Sequence, residues 1–391
     1  MSSSSEKKFD VVIVGAGIIG CSIAFHLALK TKGAMKIAVV DRETLASEAS
    51  LGAAGMLAAQ VESTGPGAFL DLCLESRKLF PSLIKNLKKY CKTDPQYTAE
   101  GMAQIAWNKS QENLLKERVQ WQKKNGLSCR WLSPKEVQKM FPFIETRTRG
   151  AFFAPEDGQI SAQFLSEALA RSAQKLGVHF FENENCFVPA IDGKLTYISR
   201  GNHKFFADKF VIACGAWTGL TLNNRIATVP VKGQILVYEA PSDWIKNKKW
   251  NAPLYLGKIP DSEIDCYAVP KPNAVSQGSS QIFVGATSEL AGFDKSENKI
   301  STEKMQRFIT SVIPEMKKFK LNSVWVGLRP ASADRLPILG KLPQTENVFV
   351  AAGHFRNGVL LSPVTGKWMA EILTSGKTST KIKAFSPERF L

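Results

Sequence analysis

The chain has 391 residues, of which 44% are hydrophobic and 22% charged, a balance typical of a folded globular protein rather than a disordered, collagen-like or coiled-coil one. Lysine and arginine number 51 against 35 acidic residues, which leaves a net charge of +16. The basic residues are spread over interrupted runs, and RNP-like, zinc-finger and basic-zipper motifs are absent from the sequence, so we expect no nucleic-acid binding.

The first predicted elements are a β-strand and a helix joined by glycines. Residues 9–14 are apolar and mostly β-branched, as in a buried strand, and residues 21–30 place their apolar side chains on one helical face. The uncharged run 11–29 also resembles a signal peptide, but its glycines would weaken a signal helix, and Asp10 stands where a positive region should lead. We expect neither a leader nor an integral membrane segment.

The turn between this strand and this helix has the pattern Gly15-x-Gly17-x-x-Gly20, and a second strand, 36–40, ends at Asp41. Together they form a dinucleotide-binding fingerprint in its full context. Gly15 permits the tight turn, Gly17 lets the backbone approach a pyrophosphate, and Gly20 lets the helix pack against the strand. The helix N-terminus would bind the phosphates, and Asp41 the ribose. The fingerprint alone leaves FAD and NAD open.

The segment after the second strand distinguishes the two cofactors. Residues 49–60 are rich in alanine and glycine, which suits a backbone that lies against a ligand. A nicotinamide dehydrogenase has no reason to carry such a segment at this place. The pattern ASxxAAGM within it resembles the D-amino-acid-oxidase-type family of FAD-dependent oxidoreductases.

Later motifs extend this resemblance over nearly the whole chain. They are GQI before a predicted helix over 162–176, a strand followed by GAW over 210–217, VPVKGQ at 229–234, WVGLRP at 325–330 and HFRNG at 354–358. The last motif resembles the glycine oxidase branch of the family, because sarcosine oxidases and D-amino-acid dehydrogenases usually have a plainer pattern there.

The resemblance implies an α/β fold, with a Rossmann-like FAD-binding domain interleaved with an α+β substrate domain built on an antiparallel sheet. The FAD-binding domain would comprise residues 1–90, 146–225 and 322–391, and the substrate domain residues 91–145 and 226–321. Alternating apolar and polar residues over 226–290 favour an antiparallel sheet with one covered face. Amphipathic helices are expected over 66–92 and 300–320.

The resemblance also implies substrate-binding residues. Arg329 would hold a substrate carboxylate with its planar fork of donors, and Tyr267 would add a hydroxyl. Arg356 would place a second positive charge at the mouth of the site, and Met56 would face the flavin. Each residue also has a purely structural alternative. Arg329 would form a structural ion pair, and Tyr267 would be a buried tyrosine of the sheet. Arg356 would pair with a carboxylate at a domain contact, and Met56 would fill the core. We expect no acid–base residue, because a bound neutral amine needs no strong base.

The FAD contacts implied by the resemblance come from six segments of the chain. A helix beginning near Asn357 would direct its positive dipole end at the flavin. The full set is Gly15, Gly17, Ile18, Ile19, Gly20, Asp41, Arg42, Ser50, Ala54, Gly55, Met56, Val188, Ala213, Gly215, Trp217, His354, Arg356, Asn357, Gly358, Val359 and Leu360. Covalent relatives tether FAD through a cysteine in the C-terminal part, whereas the last cysteine here is Cys266 in the predicted substrate sheet, so we expect non-covalent FAD.

Cysteine and histidine positions argue against a metal centre. The seven cysteines are odd in number, widely spaced and lack a CxxC pair, which fits free thiols in a reducing cytosol. The four histidines contain neither an HExxH motif nor a close pair. We therefore expect a cytoplasmic protein without a metal site.

The function implied is FAD-dependent oxidative deamination of glycine or a similar small amine acid, giving imine or glyoxylate, ammonia and H2O2. O2 would be the acceptor, the assembly a homotetramer, and in a thiamine pathway the imine would pass to thiazole synthase. Three alternatives stay open: a quinone-linked D-amino-acid dehydrogenase, a non-catalytic FAD-binding assembly factor and an NAD-linked dehydrogenase. Relatives carry His at the position of Asp265 and often Met at that of Ser288, two positions expected to shape the amine end of the pocket.

Overall fold

The computed structural model describes residues 6–144, 147–183, 186–191, 193–200, 203–271, 279–376 and 380–390, and the predicted domain boundary at 145–146 lies outside them. The helices are α1 (Ile18–Thr31), α2 (Ala68–Tyr90), α3 (Lys109–Lys124), α4 (Pro134–Met140), α5 (Ala162–Lys175), α6 (Thr218–Thr221), α7 (Ser242–Asn247), α8 (Lys299–Val312) and α9 (Gly358–Ser375). The strands are β1 (Glu6–Val14), β2 (Ile37–Val40), β3 (Met56–Leu57), β4 (Met102–Ala106), β5 (Arg130–Leu132), β6 (Gly150–Ala154), β7 (Gly158–Gln159), β8 (His179–Phe181), β9 (Tyr197–Arg200), β10 (His203–Ile212), β11 (Thr228–Pro241), β12 (Leu254–Lys258), β13 (Asp265–Lys271), β14 (Ser279–Gly285), β15 (Lys320–Ser332), β16 (Ile338–Lys341) and β17 (Val348–Ala352).

The first sheet carries the glycine-rich turn at the end of its central strand. Its order is β16-β17-β10-β1-β2-β8, with β9 paired to β10, and β1 runs parallel to both β10 and β2. Helix α1 packs against α5 and α9 over one face. The uncharged run 11–29 thus forms most of β1 and α1, and its apolar composition is accounted for by burial between sheet and helices.

The second sheet has the order β15-β11-β14-β13-β12-β4-β6-β5, and its neighbours are antiparallel except β12 and β4, which run parallel. One face packs on a core that includes Trp250 and Met305. The other face carries Tyr267 and Ile235, which pack with Ala54 of the segment that follows β2. The second sheet therefore faces the ligand-binding segment predicted for the first domain.

Sequence and structure differ at the end of one helix, and the structure also shows which strands form the second sheet. The helix predicted over 300–320 ends as α8 at Val312, because a residue that precedes proline, here Ile313, is disfavoured in the helical conformation. Strand β6 and residues 322–332 of β15, both placed in the FAD-binding domain by sequence, pair within the second sheet. We propose that these two strands belong to the substrate domain.

In the parts of the chain covered by the structure, no helix combines the length and apolarity that membrane crossing requires. All seven cysteines are free thiols.

Candidate cofactor and substrate site

A cavity of about 500 Å³ lies between the two sheets. On one side it is lined by the β1–α1 turn, the segment 48–58, the turn 213–217 and the start of α9; on the other side it is lined by residues of β11, β13 and β15. This volume is typical of small-molecule sites, which span roughly 300–1,000 Å³. The cavity therefore joins the fingerprint to the predicted substrate residues.

The three fingerprint glycines differ in what surrounds them. Gly15 has a φ of +110°, and a Cβ on it would lie 2.3 Å from the Ala213 carbonyl oxygen. A Cβ on Gly20 would lie 1.9 Å from the Gly15 carbonyl oxygen. A Cβ on Gly17 would instead meet only the Ser50 hydroxyl, at 3.4 Å. Gly15 and Gly20 thus permit close packing, whereas Gly17 leaves open space towards the cavity.

The N-terminus of helix α1 lies at the cavity wall, where Gly17, Ile18 and Ile19 line the cavity. The N-cap residue, Gly17, provides no capping side chain. The Ile18 N–H donates to the Ser50 hydroxyl at 3.0 Å. Asp41 accepts the Ala16 N–H at 2.5 Å and the Glu43 N–H at 2.9 Å, and burial raises the pKa of its carboxyl group. Asp41 therefore holds the glycine turn in place, in addition to lining the cavity.

A second helix N-terminus reaches the cavity from the C-terminal part of the chain. Helix α9 follows a short 3-10 turn, Phe355–Asn357, and also begins without a side-chain cap. His354, just before the turn, is buried and lies 3.0 Å from the Thr365 hydroxyl through Nε2. Burial lowers the pKa of His354 to about 3, so its imidazole is neutral. The positive end of α9 thus lies at the cavity beside a neutral side chain.

Arg329 and Tyr267 lie together on the wall that the second sheet contributes. The Arg329 guanidinium donates from Nη1 to the Thr287 carbonyl oxygen at 2.9 Å and contacts the Tyr267 hydroxyl. Burial lowers the pKa of Arg329, but a guanidinium stays charged near neutral pH. Among the described residues it has no carboxylate within ion-pair distance. The guanidinium is therefore available to an anionic ligand in the cavity.

Arg356 also lines the cavity, but it is paired with two carboxylates. Its Nη2 lies 3.3 Å from Glu62 Oε1 and its Nη1 lies 3.2 Å from Asp265 Oδ2. The Glu62 charge is the main cause that raises the pKa of Arg356. Asp265, which does not line the cavity, also hydrogen-bonds the Tyr255 hydroxyl, whereas Ser288 is exposed and lies outside the cavity wall. Arg356 is thus paired with carboxylates, as in the alternative considered for it from sequence.

The segment at Gly55 and Met56 follows the cavity wall. Gly55 has a φ of +73°, and a Cβ on it would lie 1.9 Å from the Ile160 carbonyl oxygen. Met56 is half-buried and lines the cavity. Behind them, the Lys271 ammonium donates to the Ile160 carbonyl oxygen at 2.9 Å, and burial lowers the pKa of Lys271 to about 7.

The remaining predicted residues line the same cavity, with two exceptions. Gly20 packs against Gly15 instead of facing the ligand space. Leu360 lies inside α9, where its carbonyl oxygen accepts the Ser76 hydroxyl at 2.6 Å. The cavity-lining members of the prediction are Gly15, Gly17, Ile18, Ile19, Asp41, Arg42, Ser50, Ala54, Gly55, Met56, Val188, Ala213, Gly215, Trp217, Tyr267, Arg329, His354, Arg356, Asn357, Gly358 and Val359.

Sequence reasoning missed Glu62 and Trp325 as cavity residues. A Cβ on Gly52 or on Gly327 would overlap the Trp325 ring, at 1.9 Å in both cases. Two glycines at unrelated positions thus make room for one indole, a signal that sequence spacing does not reveal. Glu62 had no signal in the sequence, because its role comes from pairing with a residue 294 positions away.

This combination of a nucleotide fold, a glycine cradle and a free guanidinium defines a flavoprotein oxidoreductase. The chain belongs to the FAD dependent oxidoreductase family, whose model matches residues 10–372. It is similar to a glycine oxidase of Geobacillus kaustophilus (strain HTA426), with 30% identity over 388 residues and 98% of each chain covered. The crystal structure of glycine oxidase from Geobacillus kaustophilus matches with a TM-score of 0.87 at 30% identity, covering 98% of this chain and 100% of that one.

A further relative is a fusion protein. The chain is 30% identical over 385 residues to the bifunctional protein ThiO/ThiG of Synechocystis sp. (strain ATCC 27184 / PCC 6803 / Kazusa), covering 98% of this chain and 54% of that protein. These comparisons confirm the predicted family, fold class and cofactor, and they do not favour the alternatives considered from sequence.

The cavity fits FAD, the cofactor of this family. Gly17 presents bare backbone to it, and two helices whose N-cap residues provide no capping side chain begin at its wall, which suits a diphosphate and an anionic ring. Asp41 and Arg329 line the same cavity, so a nucleotide bound near Asp41 and an anion bound at Arg329 would share one continuous space. Non-covalent attachment stays a prediction; the Cys266 thiol is fully buried in β13 and lies outside the cavity wall.

Proposed function

We propose that the protein oxidises glycine, or a similar small primary or secondary amine acid, with FAD as cofactor. Glycine loses two electrons to become the imine, water converts the imine to glyoxylate and ammonia, and O2 takes up the electrons as H2O2. The observation that carries this proposal is the Arg329 guanidinium, which faces the cavity beside the Tyr267 hydroxyl without a carboxylate partner in the described part of the chain.

In this proposal Arg329 and Tyr267 bind the substrate carboxylate and thereby orient its Cα. A guanidinium offers two parallel donors to a carboxylate, which sets orientation as well as affinity. FAD, when bound, accepts the hydride that leaves Cα. Such orientation can lower a reaction barrier by ~7–11 kcal/mol. We therefore propose that these two side chains contribute to the rate mainly by positioning the substrate.

The remaining cavity residues supply electrostatics rather than proton transfer. His354 is neutral and held by Thr365, and the charge of Arg356 is already balanced by Glu62 and Asp265. The N-terminus of α9 stabilises negative charge that develops in the cavity during the reaction. In this proposal the substrate enters with a neutral amine, so that the reaction requires no strong base from the protein.

An anaerobic visible spectrum of the purified protein, recorded before and after glycine is added, tests this function. We expect flavin bands that bleach with glycine and return when air is admitted. The matched control is Arg329→Ala, whose bands should persist with glycine. If the wild-type bands persist with glycine, the protein binds FAD but does not oxidise glycine, as expected of an assembly factor. Bleaching with slow return in air would indicate a quinone-linked dehydrogenase.

We further propose that the imine passes to a thiazole synthase. The ThiO/ThiG relative supports this, since a region similar to this chain covers 54% of that protein and is joined there to a second region. Adding purified thiazole synthase should lower the glyoxylate released per H2O2 formed, and an unchanged ratio would contradict the transfer. The homotetramer and the cytoplasmic location stay predictions, and light scattering of the purified protein tests the first.

A further inference from the structure

The two guanidinium groups that line the cavity differ in their charge balance. Arg329 has no carboxylate within ion-pair distance in the described residues, whereas Arg356 lies between Glu62, at 3.3 Å, and Asp265, at 3.2 Å. The group of Glu62, Arg356 and Asp265, which we call the mouth triad, has a formal charge of −1. Glu62 and Arg356 line the cavity and Asp265 lies outside its wall, so the cavity combines one available cation with two members of an anionic cluster.

Asp265 is held firmly in this triad by its own surroundings. It is the first residue of β13, and its carbonyl oxygen accepts the Ala286 N–H at 2.7 Å. Its carboxylate hydrogen-bonds the Tyr255 hydroxyl in addition to the Arg356 contact. Tyr267, which contacts Arg329, lies two residues further along β13 and hence on the same face of the sheet.

Glu62 is positioned independently of Asp265. The preceding residue, Val61, donates its N–H to Asp157 at 2.9 Å, and its carbonyl oxygen accepts from Arg118. These anchors are buried, so the backbone at Glu62 stays in place when Asp265 is changed. Removal of the Asp265 charge would then leave Arg356 paired with Glu62 alone, with Nη1 released.

We propose that Asp265 is a specificity-determining positioning residue: by occupying Arg356, it restricts the enzyme to substrates with a single carboxylate and excludes dicarboxylic amine acids. The inference rests on the proposed function. A substrate with one carboxylate binds at Arg329 and leaves the mouth triad intact. A second carboxylate would meet the negative charge of the triad or would have to displace Asp265 from Arg356, which costs binding in either case.

The test compares glycine with iminodiacetate and D-aspartate in wild type, Asp265→Asn and Asp265→Ala. We expect the ratio of kcat/KM for either dicarboxylate to that for glycine to rise at least tenfold in both variants, because both remove the negative charge of Asp265 from Arg356 and the alanine variant also releases Nη1. The matched control is Glu263→Gln, which removes an exposed carboxylate paired with Lys258 on the same segment, and its ratio should equal that of the wild type. A variant that fails to fold would not gain activity towards either dicarboxylate relative to glycine. A rise in the kcat/KM ratio therefore reports the loss of the Asp265 charge.

A binding measurement separates this proposal from the proposed function. Flavin difference spectra give the Kd of acetate and butyrate and that of malonate, succinate and glutarate, without any turnover. In the wild type no dicarboxylate should bind more tightly than the monocarboxylates, and in both Asp265 variants at least one should. Equal selectivity in wild type and variants overturns the proposal. A wild type that shows this selectivity but is not reduced by glycine overturns the proposed function alone.

Discussion

Gly233 on β11 makes room for the Arg329 guanidinium on β15. A Cβ built on Gly233 would lie 2.1 Å from Arg329 Nη1 and 2.2 Å from Cζ. The two strands pair antiparallel, with Val231 opposite Arg329, so the guanidinium extends along the strand to the glycine. A position without a side chain thus determines where the Arg329 guanidinium lies.

Replacement of Gly233 by alanine should therefore displace the guanidinium while the fold is retained, because the colliding atoms are the end of a flexible side chain. A misplacement of ~1 Å in a positioning group can cost about 100-fold in rate. We expect full FAD content and a kcat/KM for glycine lower by about this factor. Gly65→Ala is the control, since a Cβ there meets no atom within 4 Å. A Gly233→Ala enzyme with wild-type kcat/KM would contradict this role.

Arg329→Ala should keep the yellow colour and lose amino-acid turnover. The loss of one partner from a desolvated charge pair costs ~2–5 kcal/mol, which corresponds to a fall in kcat/KM of roughly 30-fold to several thousand-fold. Arg329→Lys should recover only part of this, because an ammonium lacks the planar fork. Steady-state H2O2 production, together with the flavin spectrum, measures both quantities. Turnover that stays unchanged in the alanine variant would exclude the proposed role.

Gly17→Val should give a folded apoprotein. The built Cβ of Gly17 meets only the Ser50 hydroxyl, at 3.4 Å, so the added side chain enters the space that the pyrophosphate needs rather than the core. Gly20→Val is the contrasting variant, because its Cβ would lie 1.9 Å from the Gly15 carbonyl oxygen and should prevent packing of α1. The ratio of flavin absorbance to protein absorbance and the far-UV circular dichroism distinguish the two. A fully flavinated Gly17→Val protein would refute the fingerprint assignment.

Lys271→Met should raise the free energy of unfolding, and the gain should depend on pH. In the folded protein burial lowers the pKa of Lys271 from 10.5 to about 7, so between these values the unfolded chain binds the extra proton. The cost of burying Lys271 is therefore complete below about pH 7 and fades as the pH rises towards 10.5. The stabilisation by Lys271→Met at about pH 6.5 should exceed that at about pH 9.5 by roughly 3 kcal/mol.

Urea unfolding of the holoprotein at the two pH values measures this difference. The lost hydrogen bond to the Ile160 carbonyl oxygen is common to both pH values and cancels. Lys88→Met, at an exposed position of α2, should show no such pH dependence. An equal gain at both pH values would mean that Lys271 is protonated in the folded protein.

The spacing of residues along the chain was sufficient to predict the nucleotide-binding part of the site. Strand, glycine turn, helix and second strand all occur where the sequence predicts them, because each depends on neighbours within about one supersecondary unit. The antiparallel character of the second sheet was predicted, and its strands include β6 and residues 322–332 of β15, which the sequence placed in the other domain. Pairing of strands distant in sequence depends on the whole topology, which local periodicity does not report.

The sequence by itself predicted the cradle around Gly17, since the fingerprint has local geometric requirements, and its resemblance to known motifs indicated the FAD-binding family and pointed to Arg329 and Tyr267. Only the tertiary structure decided the charge state of the substrate cavity. Glu62 and Asp265 stand 294 and 91 positions from Arg356 and yet both pair with it, whereas Arg329 remains without a carboxylate among the residues described. The physical reason is that an ion pair depends on distance and burial in three dimensions, and neither quantity is a function of spacing in the sequence.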